Sequence, residues 1–405
     1  MSDRELSEEE AAYRAAARAW LLDNTEPLED DTGFSPLHWM PDADAQEAHH
    51  ARSAAMQRKL YDAGYVATAV PREYGGQGGE TWMVRAFREE AARRNVNTGF
   101  YGSIIAMAAP ALLAFGSEEQ KRSHLPGLYS GEVSWCQLFS EPGAGSDLAG
   151  LGARAERVGD EFVINGQKVW NSAAMYADMG ILLVRTDPDA VKHAGITFLL
   201  FDMRQPGVEV RPLIQANGAG HFAEVFLEDV RCPVANVVGE IDGGWAPTRV
   251  VMANESATIG GIGGNRAAKL IELARRVDKQ ADPLVRQALA DVRGREVLLA
   301  LMGDQIAAAV RRGTAPPIDP SVVKLFVAEN RRREGALAQR LLGPAGVAVT
   351  HEASEWAMEQ LLARYPVSIG GGTDEVHHNN LAERALGLPR DIRADRDVAW
   401  RDIPR

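Results

Sequence analysis

Residues 136–170 read CQLFSEPGAGSDLAGLGARAERVGDEFVINGQKVW. A small-residue loop, Ser140-Glu141-Pro142-Gly143-Ala144-Gly145-Ser146-Asp147, comes first, with a hydroxyl near each end. Three β-type runs follow, Ala153–Val158, Glu161–Ile164 and Gln167–Ser172, punctuated by Gly159-Asp160 and Asn165-Gly166. Asn-Gly between alternating segments predicts a type I′ hairpin, because both central residues of that turn take positive φ. The expectation is a glycine-rich loop opening an antiparallel sheet, with Trp170 and Ser172 closing a second hairpin. Glycine lets backbone N–H groups come close to a ligand. The loop is not the dinucleotide fingerprint: Gly143 and Gly145 supply G-x-G, but Leu148 holds the third glycine position and no βαβ context follows. By itself it reads as a connection.

Before this stretch the periodicity is helical. Ser7-Glu8-Glu9-Glu10 is a capping-box pattern opening a helix to about Leu22, and Ser117-x-x-Gln120 opens another. Helices are predicted at about Ala45–Ala63, Thr81–Arg94 and Gly102–Phe115, with a Pro71-Arg72-Glu73-Tyr74-Gly75-Gly76 loop between the first two and a proline-rich connection over 24–44. After it come short β-type runs, Met179–Thr186, Gly195–Met203, Val208–Leu213 and Phe222–Val230, two of them apolar enough for burial on both faces. From Gly243 helices return, predicted at about Gly244–Val277, Pro283–Arg312, Ser321–Leu342, Glu352–Ala363 and Thr373–Leu386, long enough for an antiparallel bundle. The expected architecture is an N-terminal all-α domain (1–133), a middle antiparallel β-sheet or barrel domain (134–241) and a C-terminal helical bundle (242–405).

Composition sets bounds. The chain has 405 residues and a formal net charge of −12, which argues against nucleic acid as the main partner. Two cysteines, Cys136 and Cys232, are too few for a disulfide framework and suit a reducing compartment. Residues 1–30 lack a secretion-signal pattern, and no apolar run reaches the roughly 20 residues of a membrane span. The expectation is a soluble, cytoplasmic protein. The histidines, paired at His49-His50 and His377-His378, lack metal-ligand spacing.

The quoted stretch resembles the middle-domain signature of the acyl-CoA dehydrogenase family of flavoproteins, in its Ser-Glu-Pro…Gly-Ser-Asp loop and its Gly-Gln-Lys-Val-Trp segment. The Pro-Arg-Glu-Tyr-Gly-Gly loop and the α–β–α order extend the resemblance over nearly the whole chain. It implies FAD as cofactor and oxidation of an acyl-CoA thioester to the 2,3-enoyl thioester. A carboxylate removes the Cα proton, and the Cβ hydride goes to flavin N5. It implies an electron-transferring flavoprotein as acceptor and a homo-oligomer, dimer or tetramer, or a mixed tetramer. Phe139, Ser140, Ser146, Trp170 and Ser172 fall where relatives hold the isoalloxazine ring. The hydroxyls suit ring heteroatoms and Trp170 a ring face. Trp170 also reads as a core aromatic at a strand end. Ser146 falls beside the acyl chain as well.

Ile369-Gly370-Gly371-Gly372-Thr373-Asp374-Glu375-Val376 resembles the family loop whose glutamate is the base, but Gly371 occupies that position and keeps only the backbone N–H that helps bind the thioester oxygen. Thr373 and Glu375 fall where phosphate or ribityl contacts occur. A second base position in the family lies on the first helix of the bundle, and aligning Asp242-Gly243-Gly244-Trp245 with its start puts Glu255 there. A structural helix glutamate is the alternative reading. Arg275 or Arg276 lies near an arginine that reaches a neighbouring subunit's flavin pyrophosphate, and Arg340–Gly346 resembles another intersubunit segment; a surface arginine paired with acids is the default reading. Ile259-Gly260-Gly261-Ile262-Gly263-Gly264 fits either a widened acyl pocket or close helix packing. Three rivals stay open: a flavin subunit with an incomplete site in a mixed tetramer, a flavin oxidase or monooxygenase, and a scaffold without catalysis.

Overall fold

The computed structural model describes residues 7–27, 43–260, 266–315, 318–390, 392, 395 and 397–403. The glycine run at 261–264, part of the 24–44 connection and the Pro316-Pro317 turn lie outside the described residues.

The first region is helical: α1 (Glu8–Asn24), α2 (Ala43–Asp62), α3 (Thr81–Ala91), α4 (Phe100–Phe115) and α5 (Glu118–Ser130). Ser7 caps α1 by accepting from the Glu10 amide at 3.1 Å. Ser117 and Gln120 form the full capping box at the start of α5. The Gln120 side-chain amide also donates to the carbonyls of Ala235 and Val237, so the same residue ties α5 to the end of the sheet region. α5 runs past its expected end at Leu125, through Pro126.

The sheet comprises β1 (Trp135–Leu138), β2 (Arg154–Val158), β3 (Glu161–Ser172), β4 (Met179–Arg185), β5 (Ile196–Asp202), β6 (Val208–Leu213) and β7 (Phe222–Pro233). Its order is β1-β4-β2-β3-β7-β6, with β5 also paired to β4. Most ladders are antiparallel, but β1 runs parallel to β4. β4 and β5 are buried along almost their whole length, as their apolar runs predict. One face packs with α4, α5 and α6 (Trp245–Gly260) around Trp135, Phe139, Phe198 and Val251. The other gathers Cys136, Leu138, Phe162, Leu199 and Phe201. Cys136 and Cys232 are buried free thiols.

The Asn165-Gly166 hairpin is not formed. β3 is one strand of 12 residues, and the register with β7 shifts between Ile164 and Gly166. Asn165 turns its side chain to Asp229 across that shift, accepting from the Asp229 amide and donating to its carboxylate. Gly166 is required for close approach: a Cβ there would stand 2.7 Å from the Cα of Ala153. Long pairing with β7 overrides a strong local turn signal. Gly159, at φ 64°, makes the turn that is formed, between β2 and β3.

The C-terminal region holds α6, α7 (Arg266–Arg276), α8 (Pro283–Arg311), α9 (Pro320–Leu342), α10 (Glu352–Ile369) and α11 (Asp374–Asn380), which continues into a π turn over Leu381–Ala385. The single helix expected over Gly244–Val277 is therefore two helices. α10 passes through Pro366, extending beyond its expected end at Ala363. Gly244 sets the start of α6. Its amide donates to the Ile196 carbonyl of β5 at 2.8 Å, and a Cβ on it would lie 2.5 Å from the Phe198 nitrogen.

Candidate active site

The Ser140–Asp147 loop leaves β1 and is clamped from beneath. Glu141 accepts hydrogen bonds from the amides of Gly152 at 2.7 Å and Ala153 at 2.8 Å, and from Nζ of Lys168 at 2.7 Å. Lys168 is 0% exposed and also donates to the Phe139 carbonyl. Burial pulls the Lys168 ammonium below the ordinary lysine value, against the pull of Glu141. The Val169 amide donates to the Ser140 carbonyl at 2.9 Å, which brings the loop to the end of β3. Farther along, Asp147 pairs with Lys192 at 2.5 Å. Gly143 and Gly145 face open space; a Cβ on either would meet nothing within 4 Å.

Trp170 occupies this end of β3 with φ 63° and is 59% exposed. The core-aromatic reading therefore fails. A tryptophan in the left-handed region, at a second register shift in β3, is held in a sparsely populated conformation with its ring largely outside the core. It touches Phe222 edge-on at 5.8 Å between centroids. Ser140 and Ser172 are half-buried and Ser146 is exposed. Among the described residues none of these three hydroxyls has a protein hydrogen-bond partner, and the buried Oδ1 of Asn171 also lacks one. Phe139 differs: it is buried, its ring set edge-on to Phe198 at 5.9 Å, so its side chain belongs to the core.

Glu255 projects from α6 toward β1 and the loop after α10. Its Oε2 accepts from Nε2 of Gln137 at 3.2 Å, and its Oε1 accepts from the Gly371 amide at 3.1 Å. Burial pushes the Glu255 carboxyl above the ordinary glutamate value, more than these two donors lower it. Asn171 of β3 donates to the Gln137 carbonyl at 2.7 Å. The Glu255 carboxylate and the Gly371 amide thus meet, and Gln137 and Asn171 link them to the strand that carries Trp170. Gln137 and Asn171 were not singled out from sequence; a lone polar residue between Cys136 and Leu138 carries no motif. Behind Gly371, at φ 66°, its carbonyl accepts from Nε2 of buried His377 at 2.9 Å.

The remaining predicted residues stand apart from this cluster. The Thr373 hydroxyl caps α11, accepting from the Val376 amide at 3.3 Å. Glu375 is exposed. Asp374 between them is buried, held by Arg332 at 2.5 Å and Lys324 at 3.3 Å. Arg275 is exposed and pairs with Glu272 at 3.8 Å, the pairing expected of a surface arginine. Among the described residues no ion pair or hydrogen bond joins Thr373, Glu375 or Arg275 to the serine loop.

Three family models cover most of the chain: the acyl-CoA dehydrogenase N-terminal domain at residues 7–132, the middle domain at 136–230 and the C-terminal domain at 242–386. The acyl-CoA dehydrogenase IpdE1 of Mycobacterium tuberculosis is 35% identical over 388 residues, covering 94% of this chain and 98% of its own length. The chain belongs to the acyl-CoA dehydrogenase family. Members of this family are FAD-dependent oxidoreductases. IpdE1 of Mycolicibacterium smegmatis is 33% identical over 399 residues, covering 94% of this chain and 98% of its own length. Among solved structures, one described as the Tcur3481-Tcur3483 steroid ACAD superposes with a TM-score of 0.77 at 28% identity, covering 96% of this chain and 100% of that one. The ChsE4-ChsE5 complex from Mycobacterium tuberculosis superposes with a TM-score of 0.73 at 28% identity, with the same coverage of 96% and 100%. No helix among the described residues is long and apolar enough to cross a membrane.

The residues around the serine loop fit a flavin. Unpartnered hydroxyls offer donors and acceptors to a heterocycle's edge, open glycines expose backbone, and an outward indole offers an aromatic face.

Proposed function

We propose that the chain removes hydrogen across the Cα–Cβ bond of an acyl-CoA or carrier-bound acyl thioester, with Glu255 as the base that takes the Cα proton. One observation carries this reading. A carboxylate raised by burial, with no cationic partner among the described residues, touches the amide of Gly371, the residue that the resemblance sets at the family's other base position. Such a group gains by accepting a proton, because protonation removes a charge held in a poorly solvated place. Gly371 would turn its N–H to the thioester oxygen and help stabilise the charge that develops there.

FAD, when bound, supplies the acceptor for the Cβ hydride at N5. Ser140, Ser146 and Ser172 would hold its ring heteroatoms and Trp170 would cover a ring face. Arg275, Thr373 and Glu375 would serve its phosphates and ribityl chain at a junction between subunits. Electrons would leave to an electron-transferring flavoprotein.

A mixed assembly is the second reading. It is supported by Gly371, which leaves one base position empty, and by structural neighbours described as pairs of different chains. For the acyl group we propose a bulky, ring-bearing one, in keeping with the neighbour described as a steroid ACAD.

The test is the visible spectrum of the purified protein, followed by anaerobic titration with straight, branched and ring-bearing acyl-CoAs. Bleaching by one class identifies the substrate. Glu255→Gln should slow bleaching about 10²- to 10⁴-fold, the usual contribution of a positioned base. An unchanged rate removes Glu255 from the role.

A further inference from the structure

We propose that Gln137 is a positioning residue for the base, holding one oxygen of Glu255 from the sheet while the other oxygen faces the Gly371 amide. The proposal rests on the reading of Glu255 as base. It starts from the alternation of β1. Cys136 and Leu138 point to the sheet face packed around Phe162 and Phe201, while Trp135 and Phe139 belong to the face covered by α4 and α6. Gln137 shares the helix-covered face, between two buried aromatics. Gln137 is half-buried there, and the bond its side-chain amide makes is to Glu255 at 3.2 Å.

The strand that carries Gln137 is fixed from both sides. Its residue pairs in register with Ile181 of β4, and its carbonyl accepts from Asn171, itself 1% exposed. The Gly371 amide is differently placed, on a loop where it must also serve the thioester oxygen. When that N–H turns to substrate, Oε1 of Glu255 loses its donor and Gln137 is left as the group that aims the carboxylate. Loss of a donor to the charged form raises basicity, so substrate binding strengthens the base it is about to use.

Electrostatic control from elsewhere is sparse. α6 packs on α4, α9 and β5. The titratable residue of α4 is Tyr101, whose hydroxyl meets Nε2 of His50. β5 contributes Asp202 at its end, and β1 contributes the buried thiol Cys136, which burial pushes up. On α9, Lys324 and Arg332 bind Asp374, Arg331 binds Glu334, and Arg333 binds Glu329, with Arg340 in the last turn. His377 donates to the Gly371 carbonyl. Among the described residues none of these bonds to Glu255, so burial raises its carboxyl and its two neutral donors set its aim.

The experiment compares the pH dependence of kcat/KM and the separate values of kcat and KM for the wild-type holoprotein, Gln137→Met and Gln137→Glu, with Glu255→Gln as the control. Gln137→Met keeps length and removes the donor. Its acidic limb should move up by about one pH unit, about a tenfold loss at a fixed pH below the limb, with kcat changed more than KM. Gln137→Glu places a second carboxyl beside the first and should move the limb further. Limbs left in place in both variants, with Glu255→Gln inactive, overturn the proposal and leave the base intact. An active Glu255→Gln overturns the base reading itself. If Gln137→Met does not fold by circular dichroism, Gln137→Glu decides alone by the same limb.

Discussion

Two glutamates mark two ways of holding a carboxylate in this molecule. Glu141 underlies the serine loop with three donors, one of them the buried ammonium of Lys168. Glu255 has two neutral donors and is pushed up by burial. The first has a counter-charge and the amides of a loop to fix, so its work is to keep the loop in place. The second has no counter-charge among the described residues, so its ionised form stays poised to take a proton. The presence or absence of a buried cation separates the frame from the group proposed for the chemistry.

Breaking the frame should have the largest effect. Lys168→Met leaves the half-buried Glu141 without its cation, and should cost up to about 3–5 kcal/mol in denaturant unfolding. A much smaller loss would mean that the amides of Gly152 and Ala153 suffice for Glu141. Gly166→Ala tests the same frame sterically, since the added methyl meets the Ala153 backbone. A loss of about 1–3 kcal/mol in the same assay is expected. Glu255→Gln should do the opposite of Lys168→Met, and more gently. A carboxyl whose folded pKa is raised binds its proton more tightly when folded. Its favourable contribution is present below the unfolded glutamate pKa and is lost as pH rises through the folded value. The wild-type protein should therefore lose stability relative to Glu255→Gln over that rising window, as read from unfolding curves at a series of pH values. A difference that shrank with rising pH would contradict the raised carboxyl.

The serine loop was legible because its chemistry is local: small residues, two hydroxyls and two acids lie within eight positions. The helical, β and helical order was legible from changes of period. Asn165-Gly166 was misread because a turn preference of two residues competes with pairing along a 12-residue strand. The helix ends at Leu125 and Ala363 were placed early because Pro126 and Pro366 suggest stops that packing overrides. Gln137 had no sequence signal at all. Its importance comes from which face of a four-residue strand meets α6, and that exists only once β1 and α6 are assembled.

Gly244 gives the assembly a common datum. The carboxylate of Glu255 stands about three turns along a helix whose first turn is bonded directly to β5, with no room for even a methyl group between the two backbones. The serine loop and Trp170 are carried by other strands of the same sheet. On the proposed function, the spacing between Glu255 and the flavin would therefore be measured from one backbone reference, not across a side-chain interface. Residues lining an acyl pocket could then change size without resetting that ruler, which would let one scaffold try substrates of different shape while the two proposed reacting positions stay in calibration.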